Sequence, residues 1–214
     1  MLREVIGDLL PTALAVALSP IPVIAVVLVL GSSRARTSGP LFALGWVAGL
    51  SAVAALVVLV LSSVFDSGSD AEEQGVAWLK LAIGVSFVLL GAAQWRKRPA
   101  AGEEAKMPGW MATVDSATPG RAAVLGVALS AANPKNLALT VAAAATVAEA
   151  GLDTAEEAAA IAVFVAIGSA FVLGAVAVRL AGGDRAAGAR AQVREVIAAN
   201  DAVVMTVVLL LLGM

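Results

Sequence analysis

Six runs of apolar residues, at 5–31, 41–64, 76–95, 122–148, 157–180 and 196–213, punctuate this chain. A helix rising 1.5 Å per residue needs about 20 residues to cross roughly 30 Å of hydrocarbon, so each run is long enough or nearly so. Hydrocarbon offers no partner to a backbone N–H or C=O, and a helix satisfies its own. The expected fold is an all-α membrane protein with six transmembrane helices. Composition agrees, since 60% of the 214 residues are hydrophobic and the mean hydropathy is +0.94, well beyond a soluble domain.

Charge alternates between the gaps. Arg34 and Arg36 follow the first run; Asp66, Asp70, Glu72 and Glu73 the second; Arg96, Lys97, Arg98, Lys106 and Arg121 the third. Glu149, Asp153, Glu156 and Glu157 follow the fourth run, and Arg179, Arg185, Arg190 and Arg194 the fifth. These gaps place eleven of the fourteen basic residues on one side, which the positive-inside rule makes cytoplasmic. Both termini are then expected outside a bacterial cytoplasmic membrane. A cleaved signal peptide is the alternative for the first run, because Arg3 precedes it. Glu4 and Asp8 interrupt its start, and Pro20 and Pro22 are followed by a further apolar stretch, which argues for a span. The connection 97–121 carries Pro99, Pro108 and Pro119 and reads as a basic cytoplasmic loop, with Trp110 and Met111 at headgroup level.

The fourth run contains Asn133, Pro134, Lys135 and Asn136 near its middle. A charged side chain at that depth costs about 2.5–3.5 kcal/mol even on insertion scales, so Lys135 calls for a partner or a polar cavity. A related interruption occurs in the first run. Val16-Ala17-Leu18-Ser19 leads into Pro20-Ile21-Pro22, and Val127-Ala128-Leu129-Ser130 leads towards Asn133-Pro134. Each copy opens a group of three runs, and three is odd, so the second group enters the membrane from the opposite side. The expectation is an inverted 3+3 repeat with interrupted first and fourth helices, divided into 1–96, a loop at 97–121, and 122–214. In such repeats paired interruptions mark the midplane binding site. Proline lacks an amide hydrogen and frees a carbonyl that lipid cannot satisfy. Ser19, Pro20, Pro22, Asn133, Pro134, Lys135 and Asn136 are thus the expected substrate-binding set.

Three further polar positions carry weaker signals. Asp201, about five residues into the sixth run, is a candidate for proton or ion coupling or for pairing with Lys135. Asp8 is a second coupling candidate, although a helix-start role suits it as well. Lys80, beside Trp78, reads as a lysine stretching to the interface. Gly45 and Gly49 have the small-xxx-small spacing of closely packed membrane helices. With no cysteine and no histidine, disulfides, thiol redox chemistry and the commonest transition-metal ligand are excluded. No nucleotide-binding loop and no catalytic pair of acids stands out, so neither an enzyme nor a cofactor is expected. Energy would come from an ion gradient, a lipid gradient or a partner protein.

The three-plus-three spans, the proline motif of the first and the NPKN at 133–136 resemble the lysine-exporter superfamily. The alanine-rich and valine-rich chain, the SPIP at 19–22 and the basic central loop resemble its GAP family, the glycolipid-addressing proteins of mycobacteria and their actinobacterial relatives. The resemblance implies movement of a membrane lipid or glycolipid towards the envelope by alternating access. Lys135 would meet an anionic headgroup while acyl chains stay in the bilayer or a greasy side opening. Export of a small solute such as an amino acid, and a membrane scaffold for lipid export, are the alternatives. A homodimer and a lipid-synthesis or export partner are the associations considered; nucleic acid is not expected.

Overall fold

The computed structural model describes residues 1–65 and 118–182. The runs at 76–95 and 196–213, Lys80, Trp78, Trp110, Met111 and Asp201 lie outside the described residues. Those described form seven α-helices and one π turn. They are α1 (Leu2–Ala17), α2 (Pro20–Gly31), α3 (Ala35–Phe65), α4 (Pro119–Val127), the π turn (Ala128–Ala132), α5 (Pro134–Glu149), α6 (Thr154–Gly168) and α7 (Ala170–Gly182). The whole described structure is helical, and its apolar helices fit a membrane protein.

The expected first, second, fourth and fifth runs correspond to α1 with α2, to α3, to α4 with α5, and to α6 with α7. Only α3 is unbroken. Its 31 residues extend about 46 Å, and its stretch Ala35–Ser62 is long and apolar enough to cross a membrane. The pairs α1–α2 and α6–α7 are bent by 52° and 57° at their breaks. Counting each bent pair as one span gives up to three spans among the described residues. Outward-facing Leu10, Leu14 and Leu18 recur every fourth residue along α1, each more than two-fifths exposed. Such a stripe is costly in water and natural against lipid.

Short connections fix the neighbours. Gly151, with φ +61, occupies the left-handed position just past the end of α5, where a side chain would be strained. Asp153 then caps α6 by accepting from the Glu156 amide at 2.9 Å, and Glu156 and Glu157 add negative charge where the helix dipole is positive. Packing distributes the helices around α3, which touches α2, α4, the π turn, α5, α6 and α7. Trp46, Phe42, Leu50 and Phe164 are buried in the shared core.

The closest approach joins α3 to α4. A Cβ on Gly45 would collide with the Ala123 carbonyl, one on Gly126 with the Phe42 carbonyl, and one on Gly49 with the Ser130 hydroxyl. Here the small-xxx-small signal at Gly45 and Gly49 acts within the chain. Without aqueous solvent to drive apolar burial, such backbone proximity is a main source of helix association in lipid.

Candidate functional site

Two of the breaks have nearly the same backbone. Ser19 has φ −66 and ψ 119, and Asn133 has φ −72 and ψ 119. Each precedes a proline, whose ring pushes its predecessor out of the helical region and into an extended one. Pro20 and Pro134 then stand in the first turn of α2 and α5, where a missing amide hydrogen costs nothing. In both, the capping residue's carbonyl begins the new helix: Ser19 O accepts from Val23 N at 3.2 Å, and Asn133 O accepts from Leu137 N at 2.8 Å.

This correspondence pairs Ser19-Pro20-Ile21-Pro22 with Asn133-Pro134-Lys135-Asn136. It differs from the recurring letters by three residues, because Ser19 is itself the cap whereas Ser130 lies three positions before Asn133. The π turn overlaps that stretch and accounts for one of the three. Its wider hydrogen-bond ring takes up an additional residue, and Ser130 in it is fully buried, donating to the Val127 carbonyl at 3.1 Å.

Around Asn133 the freed groups are answered locally. The Asn133 side-chain oxygen accepts from the Lys135 amide at 3.1 Å, a standard helix-start bond. Asn136, fully buried, reaches back across the break so that its Nδ2 donates to the Leu129 carbonyl at 2.9 Å. Its own carbonyl accepts from Thr140 Oγ1 at 2.8 Å. The Asn136 Oδ1 atom is buried with no hydrogen-bond partner among the described residues. Leaving such an acceptor dry costs about 1–3 kcal/mol, which a water or ligand donor would recover. Lys135 is partly buried on the first turn of α5.

Ser19 is more austere. It is buried, its side chain makes no capping bond, and its amide closes the end of α1 on the Val16 carbonyl at 3.1 Å. The elements flanking the two interruptions touch, α1 packing against α5 and α2 reaching the π turn. Ser19, Pro20, Pro22, Asn133, Pro134, Lys135 and Asn136 thus belong to adjoining broken segments. Asp8 does not join them: it is exposed on α1, about 15 Å along the helix from the break.

The fifth run holds a break that its sequence did not announce. At Ser169, between α6 and α7, the chain bends by 57° without a proline. Ser169 closes one helix and opens the next, its N–H donating to Val165 O at 2.9 Å and its carbonyl accepting from Leu173 N at 2.8 Å. Gly168 rests on Val16, where an added Cβ would lie 3.3 Å from a Val16 methyl. The bend therefore sits beside the end of α1. The Ser169 hydroxyl is buried and has no partner among the described residues.

The sequence model of the family described as Sap, sulfolipid-1-addressing protein, matches residues 9–214, nearly the entire chain. The chain belongs to that family. Membership agrees with the resemblance to glycolipid-addressing proteins carried by the alanine-rich and valine-rich chain, the SPIP at 19–22 and the basic central loop. No curated protein and no solved structure matches the chain. Among the described residues no group of three acidic side chains is placed to hold a metal ion.

Proposed function

We propose that this protein moves a lipid or glycolipid, with an anionic group on its head, across the cytoplasmic membrane towards the cell envelope. The observation that carries this reading is the matched pair of extended caps, Ser19 before Pro20 and Asn133 before Pro134, on broken helices that pack together. Both caps begin helices whose positive dipole ends suit an anion. Lys135 supplies a full charge at the same turn, and Asn136 Oδ1 supplies an acceptor for a head hydroxyl. The family name, which couples addressing to a sulfolipid, supports the same class of cargo.

In this reading residues 1–96 and 122–214 are inverted three-helix halves, as in the lysine-exporter superfamily, with both termini outside. Alternating access follows from movement of the helices at the paired breaks, with α3 and α4 moving together. The head occupies the polar crevice while its chains remain in an apolar surrounding. The protein binds and reorients cargo and makes no covalent change to it.

Purified protein in vesicles tests the proposal. Accelerated exchange of a fluorescent anionic lipid between leaflets is expected, and Lys135→Ala should abolish it while folded protein persists. Efflux of radiolabelled amino acids with no lipid movement would replace the proposal with small-solute export. Neither activity, together with copurification of a lipid-synthesis enzyme or pump, would replace it with a scaffold.

A further inference from the structure

A cavity of 570 Å³ lies between α3 and the bent α6–α7 pair, outside the cluster around Asn133. Its walls are almost wholly apolar, from Val47, Ala55 and Val58 on one side to Ile161, Val165 and Leu173 on the other. Ala158, Ala162 and Ala166 line it at four-residue spacing and are exposed, as are Ala55 and Leu59, so it opens along its flank. Small side chains provide the depth.

Both ends are polar. At one, the Ser62 hydroxyl donates to Glu157 Oε1 at 2.5 Å. At the other stands Ser169, whose buried hydroxyl has no partner among the described residues although the residue lines the cavity. That second end adjoins the first-run break through the contact of Gly168 with Val16.

Size discriminates among occupants. From Thr154 to Ser169 α6 rises about 22 Å, and the 570 Å³ open to the centre of a water-sized sphere, spread over that length, makes a groove roughly 9 Å from wall to wall. A helix with side chains needs about 10–12 Å. A file of methylenes, with carbon contacts near 4 Å, enters where a helix does not. One leaflet is about 15 Å deep, so a single chain also ends before the Ser62–Glu157 pair.

We propose that this groove seats one acyl chain of the transported lipid, with the oxygen that links head to chain hydrogen-bonded to Ser169. The proposal rests on the lipid-transport reading and supplies the side opening that reading requires. The head lies at the breaks, and the chain leaves through the flank into the bilayer.

A phosphatidylglycerol bearing a diazirine in one acyl chain, reconstituted with the protein and irradiated, tests this. Adducts should concentrate on residues 51–59 and 158–166. Ala162→Trp, a change at an exposed position, should lower both that adduct yield and lipid exchange at least fivefold without altering thermal unfolding. Ala158→Phe serves if that variant fails to fold. Ser169→Ala should reduce exchange, and Ser169→Thr should restore it. Equal labelling of Leu10 and Leu14 on the outer face of α1 would overturn the groove by showing only annular lipid. So would Ala162→Cys joining two copies through a disulfide, which the cysteine-free background makes easy to read. Transport that survives Ala162→Trp and Ala158→Phe sinks the groove and leaves the transporter standing. Groove adducts with no transport by the unaltered protein do the reverse.

Discussion

At Ser19 the chain turns through a buried extended residue whose motif adds only apolar Pro20, Ile21 and Pro22, whereas at Asn133 the same backbone turn is accompanied by a π turn, two asparagines and a lysine. The shared part follows from one local rule, the exclusion of a pre-proline residue from the helical region. The unshared part is where chemistry can differ between halves of a repeat. Lys135 stands where the first break has Ile21, and Asn136 where it has Pro22. One break supplies shape, and the other supplies shape with charge and hydrogen bonds.

The largest test of that asymmetry is functional. Lys135→Ala should lower lipid exchange by tenfold or more, a loss of at least about 1.4 kcal/mol, while Ile21→Ala at the matching position should change it less than twofold. Equal losses would make the two breaks equivalent.

Next comes the support of each break. Gly126→Ala drives a methyl into the backbone of α3 at Phe42 and should cost about 3 kcal/mol, at the upper end for overpacking. Gly168→Ala meets side chains alone, Val16 and Leu50, and should cost about 1 kcal/mol. Thermal unfolding in detergent measures both. Asn136→Leu removes the donor to the Leu129 carbonyl and should destabilise by about 1–3 kcal/mol; Pro22→Ala, its counterpart, should be close to neutral. Smallest is the pair of caps. Asn133→Ala should cost about 1 kcal/mol because a capping bond is lost, whereas Ser19→Ala loses none and should cost clearly less.

What could be read from the letters was what local physics decides. Apolar runs located α3 and both members of the first, fourth and fifth broken pairs, because only long apolar segments survive in hydrocarbon. Asn133-Pro134 marked a break because proline and a capping side chain act together there. Proline alone was not decisive: α1 passes through Pro11 and α3 through Pro40 without interruption. The bend at Ser169 was hidden because no proline marks it and because it arises where Gly168 meets a residue more than 150 positions earlier, Val16. The repeated Val-Ala-Leu-Ser leads into both breaks, ending on the cap in the first and three residues before it in the fourth run. Asn136 was expected to bind cargo, and its bond back to Leu129 shows that half of its amide already serves the fold.

Contact between α3 and α4 through Gly45 and Gly126 brings main chain against main chain, leaving no flexible layer to absorb displacement. Those two rods are mechanically one beam. Any rearrangement has to be accommodated elsewhere, and the join of α1 with α6 offers it, because there a valine methyl cushions a glycine and can switch rotamer as the surfaces slide.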